Sequence, residues 1–251
     1  VLVALIGFTA CTPARVPAAS KAAPGQSVES TLAQAEVAFA LRPDVGQVQR
    51  SLELFARAAS GDPARVEGCI GVVRSVAWLM EHGVSKADRR ALVDEAVAAG
   101  AQCGQRSPGA ASCDYWYAVA LGLSARERPL TALGELKTII ELLRRAEAKE
   151  PGLDEGGPTR VLALLLVRAP GWPVGPGSPD DALTEARKAV ARGPAHPLNH
   201  LALAECLAAT GEQDAARVAY QQAVALGRAR GDADGADWVA QAESALKKLE
   251  L

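Results

Sequence analysis

Residues 196–227 read HPLNHLALAECLAATGEQDAARVAYQQAVALG. Apolar and small residues recur at three- and four-residue spacing on both sides of Gly211, the mark of two amphipathic helices joined by a tight turn. Leu203 and Ala204 mark the packing face of the first helix. Ala216, Tyr220 and Ala223 make a small–large–small face on the second. Small residues let the two helices of a hairpin close up, and the ring fills the groove toward the next hairpin. One such hairpin cannot bury its faces alone, so it demands neighbours.

A neighbour stands at a fixed distance. Gly177, Ala182 and Ala189 precede Gly211, Ala216 and Ala223 by 34 residues each (211 − 177, 216 − 182, 223 − 189). This period and pattern resemble the tetratricopeptide repeat. Fainter second helices lie upstream. GQVQRSLELFARAASGDP (46–63) keeps Gly46, Ser51, Phe55, Ala58 and Pro63 at the same offsets. GELKTIIELLRRAEAKEP (134–151) keeps Gly134, Leu143, Ala146 and Pro151, with Ile139 where a small residue is expected. SKADRRALVDEAVAAG (85–100) keeps Val93 and Ala96. The spacing between copies is irregular, so the array is degenerate and carries insertions. GADWVAQAESALKKLEL (235–251) sets polar residues opposite Trp238, Val239, Ala242 and Leu246, as a terminal cap would.

Periodicity predicts helices over 28–41, 47–60, 64–81, 86–100, 111–126, 130–149, 157–169, 179–192, 197–209, 212–229 and 234–250. The expected fold is all-α, a superhelix of α-α hairpins built from degenerate tetratricopeptide-like repeats over residues 29–251. Composition agrees. Of 251 residues, 49% are apolar but only 4% aromatic, and β-branched runs are too scarce for a large sheet. Net charge is −2, with both signs interleaved and no Lys/Arg cluster, which argues against a nucleic-acid partner. No stretch approaches the ~20 consecutive apolar residues of a membrane-spanning helix.

The N-terminus has another character. VLVALIGFTA (1–10) looks like the apolar part of a signal peptide, and FTAC ends at Cys11 like a bacterial lipobox, with Phe8 where leucine is usual. Residues 1–11 are thus expected to be a partial lipoprotein signal with Cys11 as the lipidated residue. Residues 12–28, rich in Pro, Ala and Ser, are expected to be a tether. Thr12 after the cysteine, by resemblance to bacterial lipoproteins, implies the periplasmic face of the outer membrane. Export favours disulfides. Cys103 and Cys113 flank the turn-like GQRSPGAAS (104–112) and form a candidate disulfide, although four cysteines allow three pairings. Cys69 and Cys206 sit in apolar helical contexts and read as core residues. No C-x-x-C pair supports zinc.

Catalytic constellations are scarce, and neither a catalytic residue nor a cofactor or metal is expected. The histidines are His82, His196 and His200. HPLNH (196–200) spaces two of them like H-E-x-x-H, but Pro197 replaces the glutamate and puts His196 outside the helix. His200 reads as a stand-in for a repeat aromatic. DEGGP (154–158) sets Asp154 and Glu155 near the positive end of a helix begun by Pro158. Arg160 precedes the apolar run VLALLLV. It is a candidate contact for an anionic head group, with a surface salt bridge as the plainer reading. Tyr115, Trp116 and Tyr117 are adjacent, so they cannot share one helix face. Tyr115 and Tyr117 are therefore candidates for a binding surface and Trp116 for core.

DYWYAVALGLSARE (114–127) and residues 139–190, with EPGLDEGGP (150–158) and APGWPVGPGSPDDA (169–182), resemble the T component of TRAP transporters (TatT). That family comprises periplasmic lipoproteins with a helical, tetratricopeptide-like fold, and its usual double glycine is here Gly175-Pro176-Gly177. The likeness spans roughly residues 30–230. It implies a non-enzymatic lipoprotein that partners a TRAP solute-binding protein, with a small apolar ligand and homo-oligomers as further implications. A general cell-envelope scaffold is the competing reading. The loop 169–182 exceeds the repeat's needs, and such insertions often fall on the binding face. Trp172 either presents itself there or folds back to plug the gap.

Overall fold

The computed structural model describes residues 27–128 and 132–249, so the Cys11 signal and all but the end of the tether lie outside the described residues. The described residues form α1 (Val28–Ala40), α2 (Val45–Gly61), α3 (Glu67–His82), α4 (Arg89–Arg106), α5 (Ala111–Glu127), α6 (Ala132–Lys149), α7 (Gly157–Arg168), α8 (Pro179–Arg192), α9 (Pro197–Ala209), α10 (Gln213–Arg230) and α11 (Ala233–Leu249). A short turn, Leu153–Glu155, precedes α7. Each helix packs on the one before and the one after it. Among the odd-numbered helices, every second one also touches: α1 with α3, α3 with α5, and so on to α9 with α11. Successive even-numbered helices make no comparable contact among the described residues. The odd helices therefore form the inner layer of a curved array and the even helices its outer layer.

Repeat chemistry explains this packing. Ala58, Ala96, Ala146, Ala189 and Ala223 occupy one position in α2, α4, α6, α8 and α10, and all are buried. A single methyl there keeps each hairpin tight. Three and seven residues earlier the side chains vary with the local space. Phe55, Val93, Leu143, Ala186 and Tyr220 fill the first of these positions and all are buried. Burying a side chain of the larger kind contributes about 2–3 kcal/mol. Ser51 takes the second position in α2. Its hydroxyl is buried but satisfied, 2.9 Å from the Ser75 hydroxyl of α3.

Two glycines at the same repeat position act for different reasons. Gly211 has φ +84°, which favours a residue without Cβ. Gly177 is needed for space, because a Cβ would lie 2.1 Å from the Ala169 carbonyl oxygen. Helix α4 differs from expectation at both ends: it begins later and runs through Gly100 to Arg106. Gly100 does not stop it, since the missing side chain is where α5 approaches; a Cβ there would meet the Tyr117 Cα at 2.9 Å. One large core spans α1–α5 and another α5–α11, and Trp116 and Val119 of α5 pack against both.

Candidate functional site: two loops at opposite ends of helix α7

Helix α7 is 12 residues long, so its ends lie roughly 18 Å apart. An insertion sits at each end. The N-terminal one lies against the fold from the surface: Gly156, Gly157 and Pro158 are buried, while no residue of Leu153–Glu155 is. Asp154, Glu155 and Gly156 follow each other with φ of +48°, +51° and +89°, a tight left-handed turn. This turn delivers the Asp154 carboxylate to two donors. The Tyr115 hydroxyl of α5 donates to Asp154 Oδ2 at 2.7 Å, and Arg160 of α7 forms a short ion pair with the same oxygen. Arg160 also donates to Asn199 Oδ1 of α9 at 2.9 Å. The Asn199 amide donates to the carbonyls of Glu155, Ala189 and Gly193 at 2.8, 3.0 and 2.8 Å. Four helices, α5, α7, α8 and α9, and the turn are thus tied by one polar node.

The glycines of DEGGP make room for it. A Cβ on Gly157 would lie 2.7 Å from the Tyr115 hydroxyl, and one on Gly156 3.0 Å from the Ala189 carbonyl. Arg160 is 4% exposed and Tyr115 3%. The expectation of an anionic head group at Arg160 is corrected, because the buried guanidinium is committed to Asp154 and Asn199; the expected salt bridge is present, with its carboxylate 37% exposed and its guanidinium buried. Tyr115 is corrected likewise, its ring being core and its hydroxyl committed. Burial and the nearby Asp154 charge raise the Tyr115 pKa, so it stays a neutral donor. Tyr117 is half-buried against α4.

His196 caps α9, its Nδ1 accepting from the Leu198 amide at 3.2 Å, and its ring lies 5.2 Å from that of Trp238. Burial, and then the Arg160 charge, bring its pKa down to about 4. His200 Nε2 lies 2.8 Å from the Pro194 carbonyl oxygen, so the two rings do not face one site. Among the described residues no group of three or more His, Cys, Asp or Glu could hold a metal ion.

The C-terminal insertion faces outward. Its backbone braces itself: Gly177 N donates to the Pro170 carbonyl at 2.8 Å, Val174 and Gly175 donate to Gly171, and Ser178 N returns to Leu166 of α7 at 3.0 Å. The Ser178 side chain then caps α8. Gly175 and Gly177 allow this fold because a Cβ on either would strike backbone. The brace leaves Trp172 90% exposed, with Val174 also exposed beside it in the loop. Trp172 does not plug a gap.

Two features had no clear signal in the sequence. The ends of the array are joined: Arg42 pairs with Asp234 of α11 at 2.8 Å, and His82, stacked on Trp78, meets Asp237 at 2.5 Å. A groove of about 510 Å³ runs along α1 and the first turns of α2, with Val37 and Leu41 exposed in it.

Comparison with solved structures places this architecture. TTC0263, a thermophilic tetratricopeptide-repeat protein of Thermus thermophilus, superposes with a TM-score of 0.64 at 22% identity, over 86% of this chain and 98% of that one. The fold is a tetratricopeptide-repeat superhelix. MamA matches with a TM-score of 0.47 at 14% identity, over 81% of this chain and 93% of that one. YrrB, described as a tetratricopeptide-repeat protein with an unusual peptide-binding site, matches at 0.41 and 14%, over 87% and 92%. No protein-family model matches the chain, and no curated protein matches it in sequence. The tetratricopeptide-repeat frame accounts for the hairpins.

Proposed function

We propose that this chain is a non-catalytic tetratricopeptide-repeat adaptor that binds a protein partner through the Trp172 loop. The observation that carries the reading is the exposure of Trp172 on a backbone-braced turn. A preorganised tryptophan is a strong anchor, since it buries a large area on binding and loses little freedom. Arg160 and Tyr115 are spent on the fold and leave the role to Trp172, with Tyr117 and His200 as secondary contacts.

The resemblance of residues 114–190 to the T component of TRAP transporters supports a finer version. In it the chain is a lipoprotein anchored through Cys11 at the periplasmic face of the outer membrane, and its partner is a TRAP solute-binding protein. A Cys103–Cys113 disulfide suits that oxidising compartment. A small apolar ligand and a homo-oligomer belong to the same proposal. The test is a calorimetric titration of residues 12–251 with the TRAP solute-binding protein of the same organism. Binding should weaken at least tenfold in Trp172→Ala. Equal affinities would remove Trp172 from the interface. No binding by either protein would replace the transporter reading by the general envelope scaffold. Native mass spectrometry of the same sample reads subunit number and any retained apolar molecule.

A further inference from the structure

Three helix ends meet in one buried cluster: the start of α3, the end of α4 and the start of α5. Cys69, Cys103 and Cys113 lie there, one from each helix, packed with Ala59, Val66 and Ile70. Cys103 and Cys113 are joined by a disulfide, and Cys69 is a free thiol. Antiparallel packing of α3 on α4 brings Cys69 beside the last turn of α4. Gln102 Oε1 accepts from the Cys69 thiol at 3.3 Å, and the Arg106 guanidinium donates to its sulfur at 3.4 Å. These two residues flank Cys103 on α4.

The three sulfurs are not equivalent. Cys69 is the third residue of α3 and Cys113 the third residue of α5, and neither helix has a side-chain cap on its first amides. A helix N-terminus stabilises a thiolate. Cys103 sits in the last turn of α4, where the helix dipole disfavours one. We infer that these residues form an internal thiol–disulfide exchange site, in which Cys103 changes partner between Cys113 and Cys69. The Cys69 thiolate attacks Cys103 Sγ, the Cys103–Cys113 bond breaks, and Cys113 leaves as a thiolate that takes up the proton Cys69 lost. No oxidant or reductant is consumed. Arg106 steadies the attacking sulfur, while burial holds the Cys69 thiol up and makes the step slow near neutral pH. The exchange moves the covalent tie from the α4–α5 joint to the α3–α4 hairpin. All three sulfurs are buried, so the attacking thiol comes from inside the fold and no external thiol is needed.

Trypsin separates the three cysteines into residues 66–74, 91–106 and 107–126, which makes the pairing readable. The full chain is incubated at pH 7 and at pH 9, quenched in acid, denatured with N-ethylmaleimide and mapped without reduction. A linked 66–74/91–106 pair with label on Cys113 is expected, approached about tenfold faster per pH unit while the thiol remains mostly protonated. Cys69→Ser should abolish label on Cys113. Label on Cys69 and never on Cys113 at either pH overturns the inference. As a second measurement, Cys113→Ser with oxidised glutathione should lose two hydrogens and link the same two peptides. A glutathione adduct in place of that link, in a variant whose helical circular dichroism is intact, also overturns it. If that variant does not fold, the mapping of the unaltered chain decides alone.

Discussion

The two insertions around α7 have similar compositions and opposite fates. EPGLDEGGP brings a carboxylate to a place where a guanidinium, a phenol and a carboxamide converge, and every one of these groups finds a partner. APGWPVGPGSPDDA has no charge before Asp180, and its loop is held by backbone hydrogen bonds alone. A charged side chain leaves water only when paired, and the first loop supplies the pair: Asp154, itself 37% exposed, reaches the buried Arg160. The second satisfied itself through its backbone and had no interior site for an indole, so Trp172 stayed outside. Glycine and proline density thus marks an insertion, and the side chains between them decide its direction.

The contrast breaks most clearly at the node. Arg160→Ala leaves the buried Asn199 Oδ1 without its donor while Asp154 keeps Tyr115 and water, and urea unfolding should show a loss of about 2–3 kcal/mol. A loss below about 1 kcal/mol would mean that the node is decorative. Gly157→Ala, pressing a methyl onto Tyr115, should cost about 1–3 kcal/mol in the same assay. The node also sets a pH response through His196. Its folded pKa is about 4, and an unfolded histidine titrates near 6.5. Between those values the unfolded chain binds a proton that the native one refuses. Stability is therefore full above pH 6.5 and falls as the pH drops toward 4, by about 2 kcal/mol after allowing for solvent at the ring edge. His196→Asn keeps a capping acceptor and should flatten that slope. At the other end of α7, Trp172→Ala should leave stability within about 0.5 kcal/mol while weakening partner binding. A large stability loss there would show that the indole is packed, and the contrast would fail.

Much of the fold was legible. Each predicted helical segment corresponds to a helix, because three- and four-residue apolar spacing and a shared small residue (Ala58, Ala96, Ala146, Ala189, Ala223) persist where the repeat is degenerate. Misjudgements cluster where a local rule met a tertiary need. Gly100 reads as a helix stop and is instead a contact point for α5. Arg160 and Tyr115 read as surface or pocket residues because their partners, Asp154 and Asn199, come from other elements. Asn199 carries no local signal, since a carboxamide in a helix looks the same whether it faces water or three carbonyls. The ion pair between Arg42 and Asp234, 192 residues apart, is equally silent in a linear reading.

The sequence by itself determined the helices, their pairing into hairpins, the order of the array and the place of the enlarged 169–182 loop. These follow from periodicity, from small residues at close approaches and from turn residues, all of which act within a few residues of themselves. Only the tertiary structure decided which polar groups were used up inside and which side chain remained for a partner. Hydrogen bonding between distant elements depends on where the superhelix carries them, and that curvature is the sum of the contacts between all the hairpins.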